Sequence, residues 1–208
     1  MKSLRRFQLP IKLPQLQRDL VTFERFLSRN ASFAETDALR LFRPRPGLLR
    51  LLAGCFPEVS QRPDLYASEL NLAGEFRTDF ALGNSRYRAL ALVEFESGDN
   101  SGLLLPSKVR TLSNRTGRGL SQLLQWGELL DDLGRAKFVE RIFTFSPETI
   151  SFMYVGGRTS TLSEVNLGFS SWLQRGLTIS NHAVSIMTFD ALGHEMREHL
   201  AALELTIP

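Results

Sequence analysis

The sequence predicts an α/β fold, a mixed central sheet flanked by helices with an N-terminal helical segment, and three observations point to it. The first sixty residues carry only helical spacing of apolar side chains, interrupted by short links rich in proline and glycine. Residues 65–96 hold three short apolar runs of strand character, two of them separated by the turn signal Gly83-Asn84-Ser85. Beyond them, a long amphipathic helical pattern, two further strand patterns and a late strand-to-helix step follow one another. The chain therefore divides into a helical segment over residues 1–60 and an α/β domain over 61–208, and 208 residues at 43% hydrophobic content suffice for a packed core.

Taken in order, residues 1–14 read as a loosely held arm. Leu16, Leu20, Phe23, Phe26 and Leu27 set a first helix, with Arg18, Glu24 and Arg25 outside it and Asn30 at its end. Ser32-Phe33-Ala34-Glu35 has the form of a capping box and opens a second helix to about Phe42. Arg43-Pro44-Arg45-Pro46-Gly47 breaks that helix, and Leu48–Cys55 forms a third with Pro57 behind it. These helices are either a separate subdomain or the first layer over a sheet. Leu65–Leu72 is the first strand, and Gly74 marks a bulge or bend. Glu75–Leu82 is the second strand, and Tyr87–Glu96, the most apolar, is the third and lies centrally. Residues 97–118 form a loop, and Gly119–Leu133 an amphipathic helix with Leu120, Leu123, Leu124, Leu130 and Leu133 inward. Phe138–Phe145 and Thr149–Val155 are strands around a Ser146-Pro147-Glu148 turn, with Gly156-Gly157 ending the second. Ser170–Leu177 is a short helix, Val184–Phe189 a late strand, and Asp190 the cap of a last helix over Ala191–Leu203.

The net charge of +3 comes from 25 basic and 22 acidic residues, and lysine is confined to positions 2, 12, 108 and 137. Arginine suits bidentate contact with phosphate, and so mild an excess permits a nucleic-acid partner without demanding one. Cys55 is the only cysteine, which excludes an intrachain disulfide and a cysteine-based zinc site and fits a reducing compartment. The basic start at Lys2, Arg5 and Arg6 leads into no apolar signal-peptide core, because Pro10 and Pro14 break that stretch. No apolar run approaches membrane-spanning length, so a cytoplasmic protein with no membrane partner is expected.

Candidate chemistry concentrates in Glu75–Glu96. Alternation places Glu75, Arg77 and Asp79 on one face of the second strand, and Leu90, Leu92, Glu94 and Glu96 on one face of the third. A turn at Asn84-Ser85 would set Glu75 opposite Glu94, and Asp79 would join them only across a splayed or bulged strand. Carboxylates on a core-side face repel one another and resist desolvation unless a cation sits among them. Two readings follow. One is a hard-oxygen site for Mg²⁺ or Mn²⁺, able to polarise a phosphate and acidify a bound water. The other, commoner for this spacing, is acidic strand ends that emerge into water.

Asp79, the fourteen residues after it, and Glu94-Phe95-Glu96 behind the apolar run 89–93 resemble the core of PD-(D/E)xK nucleases. More narrowly, the chain resembles the nuclease domain of the Shedu anti-phage defence family. The matching pieces are Glu75-Phe76-Arg77-Thr78-Asp79-Phe80, Leu92-Val93-Glu94-Phe95-Glu96-Ser97, the helix Gly119–Trp126 carrying Gln122, and the closing step at Ile186–Leu192. They run in order over roughly residues 60–205; each is weak alone, and the order is the signal. The resemblance implies a restriction-endonuclease-like core and a metal-dependent DNA endonuclease of bacterial defence. It further implies Mg²⁺ or Mn²⁺ on Asp79 and Glu94, Glu75 as a further acid, and Gln122 beside the phosphate or attacking water. Cutting two strands favours paired sites and hence a homo-oligomer. The chain departs from the family pattern at Glu96, where lysine is expected. Some restriction nucleases of the superfamily carry ExE and remain active, with the second glutamate free to act as a general base or ligate a second metal. The alternative is a nuclease fold that no longer cuts and binds DNA or protein partners as a sensor or assembly component.

Arg110, Arg115 and Arg118 flank glycines ahead of a helix start and, with Arg77 on the acidic strand, are candidates for the DNA backbone. A solvated charged loop is the plain alternative, and the lack of a recognition helix or aromatic ladder predicts little base readout. His194 and His199 lie five apart, about 140° around a helix, which is wrong for an HExxH zinc pair, so both read as surface residues. Gly156-Gly157-Arg158 lacks the lysine and hydroxyl of a P-loop and reads as a turn. Cys55 reads as packed, and Trp126 and Trp172 as core.

Overall fold

The helical spacing of the first sixty residues folds as four helices: α1 (Leu13–Arg29), α2 (Glu35–Phe42), α3 (Pro46–Gly54) and α4 (Pro57–Ser60). The computed structural model describes residues 5–7, 10, 12–72, 76–100, 102–105, 110–131, 145–174, 176–179 and 181–206. Glu75, the bend expected at Gly74, Lys108 and the strand expected over Phe138–Phe145, its last residue excepted, lie outside them.

The strands are β1 (Arg5–Arg6), β2 (Leu65–Leu72), β3 (Phe76–Asn84), β4 (Ala89–Phe95), β5 (Thr149–Val155), β6 (Leu177–Ile179) and β7 (His182–Met187). The remaining helices are α5 (Asn114–Asp131), α6 (Glu164–Gln174) and α7 (Phe189–Thr206). The strands form one sheet in the order β1-β2-β3-β4-β5-β7-β6. β1 to β4 are antiparallel, β4, β5 and β7 run parallel, and β6 closes the edge antiparallel. The sheet is therefore mixed, and β4, the most apolar strand, is its middle one, as the sequence predicts.

Strand alternation divides the core in two. Phe80, Leu82, Ala91, Val93, Phe95, Met153 and Val155 face the N-terminal helices and α7. Leu90, Leu92, Phe152, Tyr154, Val184 and Ile186 face the side that α5 and α6 cover. So α1 to α4 are a layer over one face of the sheet, while Arg5–Arg6, expected in a loose arm, join the sheet as its edge strand and Phe7 is buried behind them. A chain of edge-to-face rings fixes it there: Phe23 to Phe42 at 5.2 Å, Phe42 to Phe95 at 4.9 Å, Phe95 to Phe189 at 5.2 Å and Phe189 to Phe33 at 4.9 Å. Each such contact adds about 0.5–1.5 kcal/mol beyond area burial.

Several boundaries move for identifiable reasons. α5 begins at Asn114, not Gly119, because the Ser113 hydroxyl accepts the Thr116 N–H at 3.1 Å and caps it. Arg115 and Arg118 thus sit on the first turns of a helix, not in a loop. The short helix expected at 170–177 is α6, which starts and ends earlier. α7 is capped by Thr188, whose hydroxyl accepts the Ala191 N–H at 3.2 Å, while Asp190 binds Arg158. Trp126 is buried, but Trp172 is 52% exposed and stacks on Phe169. His194 is exposed, whereas His199 is half-buried against Gly54.

Gly119 decides how closely α5 approaches the sheet. A β-carbon there would come within 2.3 Å of the Tyr154 ring. Gly119→Ala is expected to destabilise the fold by about 1–3 kcal/mol through overpacking, read as a lower urea midpoint at unchanged slope.

Candidate active site

The β3–β4 hairpin brings the acids together by a register that differs from the expected one. The chain does not turn at Asn84-Ser85. β3 continues through Asn84, which pairs with Ala89, and the turn is Ser85–Arg88. Two contacts set it: Asp64 accepts the Ser85 N–H at 2.8 Å, and Asn84 Oδ1 accepts the Tyr87 N–H at 3.2 Å. Phe80 then faces Val93, and one step further along the same register Asp79 lies across from Glu94. The ladder ends there because the Asp79 carboxylate, not a backbone carbonyl, takes the Phe95 N–H at 2.8 Å. The other neighbour of β3 is distorted at the same level. Glu69 on β2 has φ +53°, and Tyr66 and Leu70, which regular alternation would put on one face, pack on opposite faces.

Asp79 and Glu94 are consequently held in a desolvated setting. Burial raises the Asp79 pKa to about 7; Glu35 adds to the rise, and the Phe95 N–H, Arg43 and Arg77 oppose it. Burial, then the charges of Asp79, Glu35 and Glu96, raise Glu94 to about 9, against one favourable hydrogen bond from Gln122. Glu94 Oε2 is buried and meets no donor. The Gln122 amide also reaches the Arg77 carbonyl at 3.3 Å, so α5 is tied to the strand end that carries both acids.

Glu35 was not among the expected site residues. It opens α2 instead of closing a capping box: Asp37 takes the Ala34 N–H at 3.2 Å, which leaves Glu35 free to meet the other acids. Its pKa is raised, first by burial and then by Glu96. Glu35, Glu96, Asp99, Arg115 and Arg118 line an open cleft of about 560 Å³. Arg115, Arg118 and Gln122 are spaced three and four apart, so they share one face of α5 along that cleft. Glu96 folds back on its own backbone, accepting the Ser97 N–H at 2.9 Å, with Arg115 at 3.6 Å.

The remaining expected residues fall elsewhere. Arg77 is largely exposed and pairs with Glu69 at 3.4 Å, as does Arg43 at 3.1 Å. Arg110 lines a separate depression with Phe169 and Trp172. Glu75 lies outside the described residues. Burial pushes the Cys55 thiol up to about 12, too high to supply a thiolate nucleophile near neutral pH.

Among the described residues, no three His, Cys, Asp or Glu side chains are grouped so as to hold a metal ion between them. The pair Asp79–Glu94 is nevertheless a fitting donor set for a hard cation. Mg²⁺ is commonly held by one or two carboxylates, with water and substrate oxygens completing its shell. Glu94 Oε2, buried and without a donor, is an oxygen that a cation would satisfy. Among the described residues no helix is long and apolar enough to cross a membrane.

A family model described as Shedu protein SduA, C-terminal, matches residues 23–192, a span that holds Glu35, Asp79, Glu94, Glu96 and Gln122. No curated protein matches the chain.

Proposed function

The chain belongs to the Shedu SduA C-terminal family, which links it to anti-phage defence, and from that premise we propose that it is a divalent-metal-dependent DNA endonuclease of PD-(D/E)xK type. The observation that carries the reading is the Asp79–Glu94 pair: two half-buried, mutually repelling carboxylates at a strand end, with one Glu94 oxygen fully buried and lacking any donor. Such a pair is unfavourable in a structural role, where a cation or a change to an amide would relieve it.

Asp79 and Glu94 would hold Mg²⁺ or Mn²⁺. When bound, the cation supplies Lewis acidity to a phosphoryl oxygen and lowers the pKa of a coordinated water. Gln122, whose amide favours the Glu94 carboxylate, orients that group from the α5 face that also carries Arg115 and Arg118. Arg115 and Arg118 take phosphate oxygens along the α5 face, where the helix N-terminus adds favourable dipole. Glu35, with its raised pKa, is the carboxylate best disposed to accept the proton of the attacking water as the new P–O bond forms and the ester bond to the leaving sugar oxygen breaks. A homo-oligomer would supply the second site needed to cut both strands.

The test is cleavage of supercoiled and linear DNA by folded protein with Mg²⁺ or Mn²⁺, against the same reactions in chelator. Cutting that requires the cation supports the reading. Glu96, an acid where the family pattern has lysine, favours a second one, a module that binds DNA without cutting. Salt-dependent DNA binding with no cleavage under any cation would select that reading, and neither binding nor cleavage would remove both.

A further inference from the structure

The environment of Glu96 assigns it a partner other than a metal. The residue follows β4, and its backbone N–H is fixed on the Val155 carbonyl at 2.8 Å. Its carboxylate accepts the Ser97 N–H and lies 3.6 Å from Arg115 Nη1. That same nitrogen reaches Asp99 Oδ2 at 2.8 Å and the Ser97 hydroxyl. Three acceptors from residues 96–99 thus converge on one edge of the guanidinium. Among the described residues these contacts fall on Nη1, which leaves Nε and Nη2 for a ligand. The side chain is 38% exposed and borders the cleft, with Arg118 one turn further on the same helix face.

Resting on the nuclease reading, we propose that Arg115 is the cation that binds the scissile phosphate of DNA, and that Glu96 and Asp99 position its guanidinium and do not ligate metal. A guanidinium is charged at every working pH and offers a planar pair of N–H donors matched to two phosphate oxygens. Held on one edge by two carboxylates, it enters the reaction pre-oriented, which is the condition for stabilising charge that builds on a transferring phosphoryl group. A lysine at position 96 would repel it. Glu96 therefore belongs with Arg115 as a unit, the acid anchoring and the arginine contacting substrate.

Single-turnover cleavage at saturating protein, with DNA affinity measured in parallel in Ca²⁺, tests this. Arg115→Ala is expected to slow the saturated rate about 10²-fold, with affinity changed only a few-fold because many phosphates contribute to binding. Arg115→Lys should keep part of the rate. Glu96→Lys should slow cleavage in the wild-type background and speed it in the Arg115→Ala background, where the new ammonium replaces the lost charge. The thermal shift of Arg115→Ala in Mg²⁺ should match wild type, since Asp79 and Glu94 remain. An unchanged saturated rate in Arg115→Ala, a loss recovered by more protein, a lost Mg²⁺ shift, or faster cleavage by Glu96→Lys alone would overturn the proposal. Those outcomes require a wild-type protein that cuts. Wild type that does not cut removes the nuclease reading and this assignment together.

Discussion

Replacing Glu94 by glutamine is expected to abolish cation-dependent cleavage and, at the same time, to stabilise the metal-free protein above pH 7. The two effects have one cause. The Glu94 pKa stands at about 9 in the fold, raised mainly by burial, against an ordinary value of 4.5. Between those values the native state keeps a proton that the unfolded chain has lost. Stability then falls as pH rises, by about 1.4 kcal/mol per pH unit for each such group. The contribution is fully present below about pH 4.5 and is lost progressively up to about pH 9 for Glu94, and from 3.8 to about pH 7 for Asp79. Glutamine removes one of these titrations, so the Tm of Glu94→Gln should exceed that of wild type by a margin that widens from pH 6 to pH 9. About 2–4 °C per kcal/mol is the scale for a chain of this size. Millimolar Mg²⁺ or Mn²⁺ should reverse the order, because cation binding replaces the protons and favours only the wild-type fold. The wild-type shift should accordingly be larger at pH 8 than at pH 6. Parallel Tm–pH curves for the two proteins, or equal metal shifts, would remove the Asp79–Glu94 pair as the metal site.

Glu35 explains why part of this site was not legible in the sequence. Ser32-Phe33-Ala34-Glu35 satisfies the spacing of a capping box, and that local reading assigned the glutamate to its own helix. Asp37 performs that task, and only the tertiary fold shows that α2 delivers Glu35 to the end of β4. The Asp79–Glu94 pairing failed for a similar reason. Gly83-Asn84-Ser85 looks like a turn, but Asp64, 21 residues before Ser85, secures the turn from Ser85 onward and lengthens β3. A two-residue change at the turn shifts the whole register, so Asp79 and not the expected Glu75 stands opposite Glu94. What periodicity could reach, it reached: Leu65–Leu72 and Thr149–Val155 lie where the alternation of apolar residues puts them, and α1 follows Leu16, Leu20, Phe23 and Leu27. α5 was foreshortened because Gly117 and Gly119 depress helix propensity, while the cap at Ser113 and the Tyr154 ring that needs Gly119 are tertiary facts.

Arg158→Ala is the second substitution expected to have a large effect, on stability first and on the cleft through it. The side chain is 8% exposed and forms a forked pair with Asp190, Nε to Oδ2 and Nη2 to Oδ1 both at 2.9 Å. Its remaining nitrogen donates to the carbonyls of Leu27, at 3.0 Å, and Asn30, which the end of α1 leaves without helical partners. One arginine therefore ties the C-terminus of α1 to the start of α7. Truncation leaves a carboxylate and two carbonyls short of donors, a loss of about 3–5 kcal/mol. Lysine cannot serve both the carboxylate fork and the carbonyls, so Arg158→Lys should recover little. The consequence for function follows from what lies next in the chain. Residues 32–36 line the cleft, the Phe33 carbonyl accepts the Gly98 N–H at 2.9 Å, and Glu35 is the proposed proton acceptor. Freed at Asn30, this segment loses the anchor at its N-terminal end and depends on the Phe33 contacts to hold its place. Cleavage by Arg158→Ala, measured at a temperature where it is fully folded, should therefore fall well below that of Leu48→Ala, a comparably destabilising change in the buried face of α3. Equal cleavage in the two variants would mean that the α1–α2 link only stabilises the fold, and Glu35 would lose its place in the proposed reaction.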